Sequence, residues 1–365
     1  MKRRGFLKAA ATGSAATTLA APAIAQTPPS IRWRLVSAYP KSLDTIYGAS
    51  ESFAKRVAAA TGGKFEIRVF AAGEIVPAFQ VADAVQQGTV ECAHAGALLL
   101  FGKDATFALD AAIPFGMNSR QMTAWMYEGG GMQLLREFYR DFGIVNFPCG
   151  NTGAQMAGWF RKEIKSPDDI KGLKFRIGGF GGMVLERIGG VPQNIPPGDI
   201  YPSLEKGTID AAEFVGPYDD EKLGLHKIAK YYYYPGFWEG GSQISLYVGT
   251  KAWESLPKVY QAILVAAAAE AHVEMQAKYD ARNPAALKRL VAGGAQLRAF
   301  PRPVLEGAWK ASNEVYADLS AKNPRWKKVF DPFVKFRDDE KLGLHKIAKY
   351  YYYPGFWEGG SQISL

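Results

Sequence analysis

The chain is 365 residues long, 48% hydrophobic and 22% charged, with a formal net charge of +9 and two cysteines. That length allows about two domains, and so few cysteines exclude a disulfide-built scaffold. Lysines and arginines are scattered among acids with no arginine-rich run, so nucleic acid is not an expected partner.

The first residues, "MKRRGFLKAAATGSAATTLAAPAIAQ", read as a twin-arginine export signal over residues 1–25. Arg3-Arg4 precede Phe6-Leu7-Lys8, a weakly apolar Ala/Thr stretch follows, and Ala23-Ile24-Ala25 offers a small-residue cleavage site before Gln26. Its removal takes Lys2, Arg3, Arg4 and Lys8, so the +9 becomes +5. The expected location is the periplasm. The longest aliphatic run, Ala262 to Ala269, lies between Gln261 and Glu270. It is too short to span a membrane and predicts a buried helix stretch in a soluble mature protein. An exported Cys92 and Cys149 could pair, but two buried free thiols are the expected state.

"IRWRLVSAY" (31–39) alternates like a strand. The next segment predicts a helix capped by Ser42 and ended by Gly62-Gly63, and "KFEIRVFAA" (64–72) the following strand. Strand and helix go on alternating, which predicts an α/β fold with a largely parallel sheet. From Ser255 to about Leu290 the pattern is helical, and Pro284 is expected to kink or divide it.

An internal echo divides the chain further. "VQQGTVECAH" (85–94) and "LEKGTIDAAE" (204–213) share one grammar: a helix ends at Gly88 or Gly207, and a short strand follows. Two such units suggest two similarly built lobes. In open α/β sheets ligands bind beyond the carboxyl ends of the strands. His94-Ala95-Gly96 and Glu213-Phe214-Val215 should therefore face one another across a cleft.

Three further stretches are expected there: "NTGAQMAGWF" (151–160), "GLKFRIGGFGG" (172–182) and "PGFWEGG" (235–241). Gly178, Gly179, Gly181 and Gly182 would let backbone approach a ligand, although they also read as a flexible loop. Arg176 has a planar fork able to hold a carboxylate by two parallel hydrogen bonds; taken alone, such an arginine is more often a solvated strand-edge charge. Gln155, Glu213 and a main-chain carbonyl offer oxygen only, which suits a hard cation rather than zinc. His94, His226, His272 and His345 are dispersed, His226 reading as a surface residue on the helix "EKLGLHKIAK". No hydrolase, zinc-protease or P-loop motif occurs, so an enzyme is not expected.

"GGKFEIRVFAAGEI", "GLKFRIGG", "LEKGTIDAAEFVGPYDDEKLGLHKIAKYYYYPGFWEGG" and "ASNEVYADLSAKNP", with the export signal, resemble the solute-binding proteins of tripartite ATP-independent periplasmic (TRAP) transporters. The likeness is greatest to the branch that binds α-keto acids such as pyruvate, and covers roughly residues 1–337. It implies an α/β fold of two lobes joined by crossing hinge strands and backed by a long helix. Lobe I would take 31–151 plus 246–337, with the C-terminal helices, and lobe II 152–245. It also implies a small carboxylate ligand, a bridging Na⁺ or alternatively Ca²⁺, and membrane subunits as partners. Carried over, the ligand arginine falls on Arg176, and the cation ligands on Gln155, Glu213 and the main-chain oxygen of Phe214, where relatives commonly have Trp. Glu239, Trp238, Phe101 and Asn151 are expected lining residues. A receptor for signalling or chemotaxis would use the same cleft without transport.

Residues 338–365 repeat residues 219–246 letter for letter. The first copy follows Glu213 and supplies the turn at Trp238-Glu239; the second has no such context. It is expected to be a rearranged or artefactual terminus. It replaces the family's terminal helix, which often pairs subunits, so a homodimer built that way is not expected.

Overall fold

The computed structural model describes residues 29–348, with side chains to position 338. The expected signal sequence and the last part of the repeated segment lie outside them. The first half runs β1 (Ile31–Ser37), α1 (Ile46–Ala60), β2 (Phe65–Phe70), α2 (Val81–Gln86), β3 (Cys92–Gly96), α3 (Ser119–Tyr127), α4 (Gly131–Arg140) and β4 (Ile144–Asn151). Next come β5 (Gly158–Phe160), β6 (Lys174–Arg176), α5 (Gly179–Arg187), β7 (Val191–Gln193), α6 (Ile200–Glu205), β8 (Ala211–Ala212), α7 (Pro217–Leu223) and β9 (Tyr231–Tyr234). The chain closes with β10 (Gln243–Gly249), α8 (Thr250–Ser255), α9 (Lys258–Ala292), β11 (Gln296–Ala299), α10 (Arg302–Lys322) and α11 (Pro324–Ala348).

Among the described residues the strands form a five-stranded sheet, β2-β1-β3-β10-β4, and a six-stranded sheet, β11-β9-β5-β8-β6-β7. The internal echo is also topological. β3 lies between parallel β1 and antiparallel β10, and β8 between parallel β6 and antiparallel β5. Before each stands a short helix and a glycine at φ 72°, Gly88 and Gly207, the left-handed turn that a side chain would strain. Both sheets are largely parallel, with a single strand against the rest among the described residues: β10 in the first and β5 in the second. The chain leaves the first sheet on β4 and returns on β10, and on each crossing the strand it arrives on, β5 or β10, runs against its neighbours.

Other local expectations shift for physical reasons. The first helix begins after Thr45, not at Ser42, because Leu43 N donates to Pro40 O at 3.1 Å and a turn occupies those residues. The long helix α9 passes Pro284 undivided. It packs on β4, α1 and α7 through one face only. Leu264, Ala267 and Ala268 are therefore buried, while Val265 stays 42% exposed, so the aliphatic run is amphipathic in place. β11 joins the second sheet beside β9, which moves residues 296–299 out of the expected first lobe. Cys92 and Cys149 are free and buried, on strands separated by β10.

The repeated letters adopt two conformations. In the first copy α7 stops at Gly224, left-handed at φ 74°, and a 3-10 turn follows. His226 is consequently half-buried beside the Trp159 ring, at 6.3 Å between centroids, rather than on a helix surface. In the second copy α11 runs through the equivalent residues to Ala348. No described helix is long and apolar enough to cross a membrane.

Candidate functional site

The two sheets present the carboxyl ends of their parallel strands to one another. Tyr39 follows β1, Gly96 ends β3, Arg176 ends β6, and Glu213 follows β8. The crossings between sheets, residues 152–157 and 235–242, close the sides. They are stitched together by Thr152 N to Ser242 O at 3.0 Å and Gly236 N to Gln155 O at 3.2 Å. Gly236 is required here, because a Cβ would collide with the Gln155 carbonyl.

These elements enclose a cavity of about 50 Å³, room for on the order of four water-sized groups. Arg176, Gln155, Glu213, Phe214 and Glu239 all line it, as do Gly96 and Val215. Asn151, Trp238 and Phe101 stand one layer back. Asn151 Oδ1 accepts from Gly153 N at 2.9 Å, and Trp238 Nε1 donates to Ala157 O at 3.2 Å. Phe101 packs edge-on against Phe180 at 5.9 Å. His94 turns into the sheet, with Nε2 3.3 Å from Cys149 O. Of the expected glycine loop only Gly178 lines the cavity. Gly179, Gly181 and Gly182 form the first turn of α5, where Gly181 and Gly182 pack against Ile177 and Pro192.

Arg176 is only 5% exposed, and its fork is partly committed. Nε donates to Ile195 O at 3.1 Å, and Nη1 to Glu213 Oε2 at 3.1 Å and to the Glu213 carbonyl. Nη2 has no partner among the described residues. A two-point grip on a ligand would have to displace Glu213. Gln155 Nε2 donates to Thr152 Oγ1 and to Glu239 Oε2, both at 2.9 Å, which leaves Oε1 uncommitted.

Burial raises the Glu213 carboxyl well above its ordinary range, and the charge of Glu239 adds to the effect while Arg176 opposes it. Burial also pushes Glu239 up to about 7, against hydrogen bonds from Ser242 and Gln155. Two buried carboxyls thus share one arginine. Behind them Asp219 and Asp220, raised by burial to about 7 and about 6, accept from Tyr279 and Tyr232 respectively. Among the described residues no three His, Cys, Asp or Glu side chains are grouped to hold a metal. Glu213, Gln155 and Phe214, all on the lining, could instead offer a mixed oxygen set of carboxylate, amide oxygen and main-chain carbonyl. That chemistry fits a hard cation.

Sequence reasoning missed Tyr39 and Ser242, and did not single out Thr152 within the expected stretch 151–160, yet all three line the cavity. Tyr39 was accessible to the argument that found Gly96, since it too follows a parallel strand. Thr152 and Ser242 carry no local signal, because the pairing of the two crossings places them.

The family model for bacterial extracellular solute-binding proteins, family 7, matches residues 36–323. The monocarboxylate 2-oxoacid-binding periplasmic protein of Nostoc sp. is 48% identical over 343 residues, 92% of this chain and 94% of its own length. A TRAP transporter solute-binding protein from Bordetella bronchiseptica, a mixed-occupancy dimer with calcium and picolinate in one site, is 52% identical with a TM-score of 0.86. That alignment covers 88% of this chain and 97% of the other. A TRAP periplasmic solute-binding protein from Pseudoalteromonas atlantica, with bound sodium and pyruvate, is 37% identical with a TM-score of 0.86, over 88% and 98% of the two chains.

Proposed function

The chain belongs to the bacterial extracellular solute-binding proteins, family 7, and from that premise we propose that it receives a small 2-oxo monocarboxylate of the pyruvate type. The ligand is held with one cation in the interlobe cavity and delivered to the membrane subunits of a TRAP transporter. One observation carries this reading: Glu213 and Glu239 are buried against a single arginine, beside the uncommitted Gln155 Oε1. Ionised together, the two would carry more negative charge than Arg176 can balance, and a cation with oxygen ligands would offset the burial that holds their protons on.

Gln155 Oε1, the Glu213 carboxylate and Phe214 O would hold the ion, Na⁺ or alternatively Ca²⁺. When bound, it supplies positive charge to oxygens of the ligand. Arg176 orients the ligand carboxylate through Nη2. Glu239 fixes the Gln155 amide so that its oxygen, not its nitrogen, faces the ion. Leu98, Leu99 and Ile244 on the lining exclude water and suit a short apolar tail. The 2-oxoacid ligands of the Nostoc relative and the pyruvate of the Pseudoalteromonas one support the class.

The same reading takes residues 1–25 as the export signal and the periplasm as the location. The five-stranded sheet with α9 forms lobe I, and the six-stranded sheet, including residues 296–299, forms lobe II. The test is titration calorimetry with pyruvate, first free of sodium and calcium and then with either ion. Ion-dependent binding is expected. Absence of binding in every buffer would overturn the ligand class.

A further inference from the structure

Hydrogen-bond donors facing the cavity are nearly all spent within the protein. Gln155 Nε2 serves Thr152 and Glu239. Thr152 Oγ1 donates to Gly153 O at 3.1 Å, and the Ser242 hydroxyl bonds Glu239. Arg176 keeps only Nη2 in reserve, on the lobe II wall. The remaining lining side chains are apolar, apart from Tyr39 and the two carboxyls.

Tyr39 is 5% exposed. Its hydroxyl oxygen accepts from Gly96 N at 3.0 Å, and no acceptor for its own proton exists among the described residues. A phenol that accepts in this way still has one hydrogen to donate. The Gly96 amide fixes the oxygen, so the hydrogen is left with the cavity side. Tyr39 belongs to lobe I and Arg176 to lobe II, so the two uncommitted donors stand on opposite walls.

We propose that Tyr39 is a ligand-binding residue, whose hydroxyl donates to the carboxylate oxygen that Arg176 Nη2 leaves unpaired. This rests on the proposed 2-oxo acid reading and deepens it. Recognition of the carboxylate is divided between the lobes, one donor from each. A ligand lacking the second carboxylate oxygen, or a lobe I lacking the hydroxyl, satisfies only one wall. Tyr39 thereby makes tight binding conditional on closure.

The test is pyruvate calorimetry in calcium buffer on the full chain, comparing wild type, Tyr39→Phe and Gly96→Ala. Tyr39→Phe keeps the ring and removes only the donor, and it should weaken pyruvate binding by about ten- to a hundred-fold. Its calcium affinity without pyruvate should be unchanged. Gly96→Ala keeps the phenol but puts a Cβ 3.1 Å from the hydroxyl, so it should give a smaller loss in the same direction. A folded Tyr39→Phe protein that binds pyruvate within twofold of wild type overturns the assignment, as does an equal loss of calcium binding. Should that variant not fold, wild-type affinity in Gly96→Ala overturns it instead. Failure of the wild type to bind pyruvate at all overturns the functional reading and the Tyr39 assignment with it.

Discussion

At the scale of single residues, Arg176 carries more than one duty. It meets the Glu213 carboxylate and carbonyl and the Ile195 carbonyl while keeping Nη2 free. Arg176→Ala would remove the ligand contact and leave two buried carboxyls without a cation. Losing one partner of an enclosed charge pair costs about 2–5 kcal/mol, or roughly 30- to several-thousand-fold in affinity. Arg176→Lys should recover little, because an ammonium cannot span the same three directions. Calorimetry on each purified variant checks this. An alanine variant within a few-fold of wild type would reduce Arg176 to a structural charge. Arg176 was legible in the sequence, since a strand ending in arginine and glycines is a local pattern. Its bond to Glu213 was not, because it depends on β6 and β8 lying side by side.

At the scale of elements, the first sheet holds a polar knot in its core. Gln243, Ser245 and Tyr247 alternate onto one face of β10, and Tyr247 pairs across to Asn146 on β4. Asp110 meets them: Tyr139 OH on α4 donates to Oδ2 at 2.6 Å and Gln243 Nε2 to Oδ1 at 2.8 Å. Burial pushes the Asp110 carboxyl up to about 7, against the hydrogen bonds from Tyr139 and Gln243. Because the folded pKa exceeds the unfolded one, the native state holds the proton more firmly. That contribution to stability is complete below about pH 4 and is lost as pH rises through about 7. Asp110→Asn should flatten melting temperature against pH between 5 and 8, and raise it at pH 8 by about 2–8 °C. An unchanged slope would show that Asp110 ionises without cost. Element order and the paired helix–glycine–strand units were readable because turns and periodicity are local. The placing of β11 in the second sheet was not, since Gln296–Ala299 carries no mark of its parallel partner β9.

At the scale of the whole molecule, the repeated segment shows context overriding sequence. The letters that end a helix at Gly224 continue one in α11. The packing of α11 comes earlier: Trp326 stacks on Phe180 at 5.3 Å, and Phe333 meets Trp125 edge-on at 5.0 Å. Among the described residues, none that lines the cleft cavity lies beyond Ile244. Deleting residues 338–365 should therefore leave pyruvate affinity within twofold. It should also lower light scattering, since the segment adds four tyrosines, Phe356 and Trp357 to the chain. Lost binding or a much lower melting temperature would show that the second copy packs on the body. The central claim is that a cation joins the ligand to Gln155, Glu213 and Phe214. Calorimetry with pyruvate, before and after exhaustive removal of sodium and calcium, tests it most directly. Restoring either ion should tighten binding by about 5- to 150-fold, and equal affinity in the ion-free buffer would contradict it.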